Sequence, residues 1–154
     1  MPTARRELVL AALATALATI TGVAGVTVER NRAAPVDGDN DLDAGPLLVL
    51  VDGDQVVGAE LATFKLYRAT PTIDAYVQAA GAAAGSITLE ALFAEVVTAL
   101  ETDAALAALI HRIRPGELEP GLDLEAGHRA VVGFGLRPAV DYLTDRADPY
   151  AAPA

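Results

Sequence analysis

The sequence predicts an α+β fold: one mixed, mostly antiparallel β-sheet with two main amphipathic helices packed on one face. Three observations carry this. Residues 127–144 alternate as a strand does, with Ala130, Val132, Phe134, Leu136, Pro138, Val140 and Tyr142 on one side. Arg129, Val131, Gly133, Gly135, Arg137 and Asp141 stand on the other. Leu89, Leu92, Phe93, Val96, Val97 and Leu100 recur at helical spacing. Near the N-terminus, Val9, Leu10, Leu13, Leu17 and Ile20 share one sector of about 100° on a helical wheel. Each helix has a stripe to bury, and the strand at 127–144 offers the face that buries it, which places that strand in the middle of the sheet.

A chain of 154 residues is long enough for one domain with a real core, and no linker divides it. The first helix is expected over residues 4–21, ending at Gly22, a residue suited to a helix C-terminus. Arg5 and Arg6 ahead of an apolar run with A-x-A triplets also fit a secretory signal peptide. The one-sided stripe and Glu7 favour a helix lying on a sheet. Residues 23–30 read as a short strand and residues 31–45 as a loop rich in acids. The apolar run 46–51 has the length of a buried strand. Asp52-Gly53-Asp54 then carries the Asp-Gly signal of a hairpin turn, with the chain returning from Gln55. Residues 63–80 form a long extended segment in which Pro71 marks an edge, bend or bulge. Ser86 is a candidate N-cap for the second helix, and Thr102-Asp103 for a short third one over residues 104–109. Residues 110–114 read as a strand and 115–126 as a Gly/Pro/Glu-rich connection. From about residue 145 the chain is expected to be a loosely held tail.

Hydrophobic residues make up 53% of the chain, yet 33 residues are Ala, so the core is built from small side chains. There is no cysteine, which excludes a disulfide scaffold, a thiolate nucleophile and a Cys-ligated zinc site together. The net charge of −10 repels DNA phosphates and anionic membranes.

Motifs for chemistry are sparse. Ser86 is the only serine, and the positions two before and two after it hold Ala84 and Thr88 rather than the glycines of a nucleophile elbow. His111 and His128 lie in different segments and lack metal-ligand spacing. Asp37, Asp39, Asp41 and Asp43 suggest a calcium loop, but starts at Asp37 and at Asp39 both put Leu at the twelfth position, where a bidentate Glu belongs. Gly133-Phe134-Gly135 lies within a strand and has no third Gly, so it marks a bulge or a close backbone approach rather than a dinucleotide site. Glu117 and Glu119 sit in a polar turn without a partner base.

The charged residues are informative as a set. Lys65, Arg68, Arg112, Arg114, Arg129 and Arg137 fall on expected strands or their ends, and the acids cluster in loops. Such segregation offers complementary surfaces between copies or partners. Arg68, Arg112, Arg114, Arg129, Arg137, Asp37, Asp39, Asp41 and Asp43 are therefore the candidate interface residues.

The order of elements, the segment FKLYRATPTIDAYVQA from Phe64, and the ending Tyr142-Leu143-Thr144 with Asp148-Pro149-Tyr150 carry a resemblance. The chain is similar, over about residues 5–149, to the tail terminator (tail completion, U-like minor tail) proteins of long-tailed bacteriophages and gene transfer agents. This resemblance implies a structural role with no catalytic residue, cofactor or metal. It implies a homo-hexameric ring on the head-proximal end of a tail tube, made in the host cytoplasm and placed at the tail–neck junction of a virion or phage-like particle. The major tail tube protein would sit on one side and a head–tail connector or neck protein on the other. DNA would pass through the lumen without specific binding, and no membrane is involved. The loop 37–43 and the segment around residues 68–72 are expected to reach neighbouring rings. Rival readings are another neck component, a secreted binding domain with a cleaved N-terminal signal, and a small hydrolase or transferase using Ser86.

Overall fold

The computed structural model of the chain describes residues 1–37, 40–78, 82–116, 118–120, 124–126 and 129–153. Among these are three helices, α1 (Arg5–Ala18), α2 (Ala82–Thr102) and α3 (Ala104–Leu109). The strands are β1 (Thr27–Arg30), β2 (Leu47–Glu60), β3 (Phe64–Gln78), β4 (Arg112–Arg114), β5 (Leu118–Pro120), β6 (Leu124–Ala126), β7 (Arg129–Leu136) and β8 (Ala139–Asp145). All belong to one sheet. β1 pairs with β2 in parallel, and the other pairings are antiparallel. The expected α+β architecture, with a mixed and mostly antiparallel sheet, is present.

The sheet is organised around β3. β2 lies along one side of it for nearly its whole length. On its other side β7 pairs with residues 73–78 and β8 with residues 64–69. The stretch expected as one long strand over 127–144 is therefore two strands, interrupted at Arg137 and Pro138. The interruption lies opposite Pro71, where β2 also loses register between Val51 and Asp54. A proline has no N–H to give a ladder, so a break beside Pro71 follows from its chemistry. β7 and β8 are still interior, because β4, β5 and β6 pair along their outer side. The supposed connection 115–126 thus contributes two edge strands.

Asp52-Gly53-Asp54 does not turn the chain. β2 runs straight through it, with Gly53 at φ +65° as a bulge, and the turn comes at residues 61–63, where the Leu61 amide donates to the Phe64 carbonyl. A Cβ at Gly53 would lie 2.1 Å from the Thr70 carbonyl oxygen, so only glycine fits. The bulge is held from outside: Arg6 donates to the Gly53 carbonyl at 2.8 Å, and Arg30 binds Asp52 at 2.7 Å and Glu7 at 2.6 Å.

All three helices contribute to the core over one face of the sheet. Val9, Leu10, Leu13, Ala16 and Leu17 of α1 are fully buried, joined by Leu92, Val96 and Leu100 of α2 and Leu106 of α3. They meet Leu48, Leu50, Ala69, Ile73, Ala75, Phe134, Leu136, Val140 and Tyr142 from the sheet. Each large side chain so buried contributes roughly 1.5–3 kcal/mol. Of the stripe read over residues 9–20, Val9, Leu10, Leu13 and Leu17 are the face that α1 buries, and Ile20, past its end, packs against the same core. Phe93 meets Phe134 edge to face at 5.8 Å, and Tyr67 stacks on Tyr142 at 5.6 Å. Arg5 donates to the carbonyls of Leu109 (3.0 Å) and Leu143 (3.4 Å) and so ties α1 to α3 and β8. No helix among the described residues is long and apolar enough to cross a membrane.

Two further differences concern ends. α2 begins at Ala82, so Ser86 lies within the helix rather than capping it. Asp103 does cap α3, accepting from the Leu106 amide at 2.8 Å. The tail from Asp145 is tied at two points: Asp145 N–H donates to Ala151 and Arg5 N–H donates to Pro149.

Candidate interaction surface

The face of the sheet opposite the helices divides into three parts. At one end, Leu42 packs on Leu47, Val49 and Val131, with Val36 and Tyr76 beside them. Leu42 thus holds this part of the acidic segment against the sheet. Arg32 binds Asp41 at 2.6 Å, the Asp37 amide donates to the same carboxylate, and Asn40 donates to the Asp37 side chain. Asp43 also has an interaction within the chain. Asp39 and His128 lie outside the described residues.

In the middle, Glu119, Gly135 and Asp74 form one row across β5, β7 and β3. A Cβ on Gly135 would lie 3.4 Å from the Asp74 carboxylate and 3.7 Å from that of Glu119, so the glycine leaves room for the two acids over it. Arg137 approaches Glu119 at 3.7 Å on the exposed side. Burial pushes the Asp74 carboxyl above its usual range, Arg137 draws it down and Glu119 pushes it up.

At the far end, strand register builds a cationic cluster. Arg68, Asp141 and Arg112 are consecutive partners across β3, β8 and β4. Directly opposed side chains share a face, so the three point the same way, and Arg114, two residues on, joins them. Arg68 grips Asp141 with two bonds, Nε to Oδ1 at 2.8 Å and Nη2 to Oδ2 at 3.0 Å. The Asp141 side chain is only 8% exposed and that of Arg68 is 42% exposed. The Arg68 hydrogen bond holds the Asp141 carboxyl below its usual range against the opposing effect of burial, aided by the charges of Arg68, Arg114 and Arg112. One acid thus faces three arginines, and Arg112 and Arg114 are solvent-exposed on the edge strand β4.

Of the candidate interface residues, then, Arg68, Arg112 and Arg114 come together. Arg137 stands with Glu119, and Arg129 opens β7 at the end away from Arg137. Two residues that matter here were not singled out from the sequence. Asp141 was visible as the acid on the mixed face of residues 127–144, but its partners depend on strand register. Asp54 belongs to a run that reads locally as a turn, yet it stands exposed on β2.

The remaining feature is the outer edge of β2. β1 covers it as far as Leu50, and Asn31 accepts from the Asp52 amide. Beyond that, among the described residues, the edge pairs only inward with β3. Val51, Val56, Val57 and Leu61 are exposed there, the last three at 48–57%. An extended, apolar edge of this kind is a template for another strand. No protein-family model matches the chain, and no curated protein matches it in sequence.

Proposed function

We propose that the chain is a structural assembly protein of phage-like tails, a tail terminator that caps the head-proximal end of a tail tube as a hexameric ring. In that role it ends tube polymerisation and joins the tail to the neck. The observation that carries this reading is the exposed outer half of β2, whose apolar edge and hairpin tip suit contact with another protein chain. The arginine cluster on the open face supports the same reading, since charged surfaces of this kind set partner choice and register. The chain acts here as a scaffold and not as an enzyme. Six copies at −10 each give a ring of formal charge −60, which repels the passing DNA instead of gripping it.

Native mass spectrometry of the full-length chain across a concentration series, alone and with its tail tube protein, tests this. A hexamer of intact 15.8 kDa chains, a particle of about 95 kDa, is the expected result. A chain that stays monomeric in both conditions sinks the ring. A chain trimmed near residue 20 favours the secreted binding domain instead.

A further inference from the structure

The regular part of the β2 edge is short and defined. Register shifts between Val51 and Asp54, and between Val57 and Ala59, leave residues 54–57 as an unbulged stretch. Bulges twist an edge away from pairing, so these four residues are what the edge can offer to another strand. On the opposite lateral edge of the sheet lies β4, three residues long, with only its β8 side paired among the described residues. The two edges face away from each other at the same end of the sheet. Val56, Arg68, Asp141 and Arg112 form one row from edge to edge, and Gln55, Ala69, Val140 and Ile113 the next.

We infer that β4 of one copy pairs with residues 54–57 of β2 in the next, continuing the sheet from copy to copy. This rests on the ring reading and names its contact. Strand direction alternates across β2, β3, β8 and β4, so continuing that alternation sets β4 antiparallel to the next β2. Continuing the rows sets the register: Arg112 falls opposite Val56, Ile113 opposite Gln55, and Arg114 opposite Asp54 of the neighbour. Faces agree as well. Asp54 and Val56 share the face of Arg68, and Arg112 and Arg114 share the face of Asp141, so all lie on the open side.

Charge selects this occupant over a second β2 edge. Pairing β2 with itself over this stretch brings the Asp54 carboxylates of both copies to one seam, with no cation among residues 54–57 to offset them. Pairing it with β4 places the Arg114 guanidinium beside the Asp54 carboxylate, and the Arg112 stem covers the exposed Val56. Because the two edges differ, the contact is head-to-tail, and such contacts close into rings when the rotation between copies fits.

Charge exchange tests the contact, read as oligomer mass by sedimentation velocity on the full-length chain. Asp54→Arg and Arg114→Asp are each expected to raise the concentration of half-assembly by roughly tenfold. The double exchange in one chain is expected to restore assembly, since each junction regains an opposite-charge pair. Hydrogen exchange on the unmodified chain gives an independent reading: amides of residues 54–57 and 112–114 are expected to gain protection on assembly. A hexamer indifferent to both single substitutions, with no added protection at these amides, overturns the edge contact and leaves the ring standing. A dimer that Asp54→Arg does not weaken and that ignores Arg114→Asp, with added protection at residues 54–57 but none at 112–114, points to β2 self-pairing and overturns both. An unmodified chain that stays monomeric both alone and with its tail tube protein overturns the ring reading, and this contact with it.

Discussion

Asp141 and Asp74 are two carboxylates on the same sheet face with opposite electrostatics. Asp141 is held ionised by two hydrogen bonds from Arg68, and Asp74 is driven toward its protonated form by burial beside Glu119. A raised carboxyl in the folded state means that ionising Asp74 costs stability. That cost grows as pH rises from the unfolded value of 3.8 through the higher folded one. Asp74→Asn is therefore expected to raise the melting temperature at pH 7, by less than about 1 kcal/mol equivalent because solvent screens a half-exposed group. The gain should vanish below pH 3.8, where the wild-type side chain is already neutral. Thermal melts of both proteins at neutral and acid pH check this, and an unchanged or lowered melting temperature at pH 7 contradicts it.

At the scale of elements, β2 is the informative case. It stays one strand because Gly53 absorbs an extra residue in a left-handed conformation under the Thr70 carbonyl, while Arg6 and Arg30 grip the bulge from α1 and β1. Gly53→Ala is expected to destabilise the fold by at least about 1–3 kcal/mol, the usual cost of a strained backbone position. The added Cβ also meets backbone that cannot move aside cheaply. Urea unfolding followed by circular dichroism measures this, and a midpoint within error of wild type removes the bulge from the list of structural constraints. The same element shows why part of the fold was not legible in sequence. Asp-Gly between apolar runs has the same local signature whether it turns a chain or bulges a strand. The deciding partner, Thr70 and Pro71, lies about 17 residues further on. The helices were legible because their stripes are local: Leu92, Val96 and Leu100 are spaced for burial before any partner is known. The start of α2 was not, because Ser86 is a good cap by type but the preceding alanines extend the helix.

At the scale of the whole molecule, three carboxyls among the described residues are held low by arginines: Glu7 and Asp52 by Arg30, and Asp141 by Arg68. A depressed folded value contributes stability that is present above the unfolded values, 4.5 for Glu and 3.8 for Asp, and is lost as pH falls through the folded ones. Asp74 acts in the opposite sense but is alone among these four. The net expectation is that the urea midpoint falls as pH is lowered from about 4.5 toward 2. Arg30→Gln is expected to flatten that fall, since it removes the partner of two of the three acids. A midpoint independent of pH below 4.5, or an Arg30→Gln profile as steep as wild type, contradicts this account.

Sequence by itself determined the class of fold, the two apolar helix stripes, the Asp103 cap and the long extended segment of β3. Each of these is written in spacing over a few neighbouring residues. Tertiary structure alone decided what the charges do. Arg68, Arg112 and Arg114 converge because strand register brings two distant segments, β3 and β4, onto Asp141. Leu42, between Asp41 and Asp43, is buried because it finds an apolar patch on the far side of the sheet. Register and long-range burial depend on which strands meet, and no local pattern carries that information.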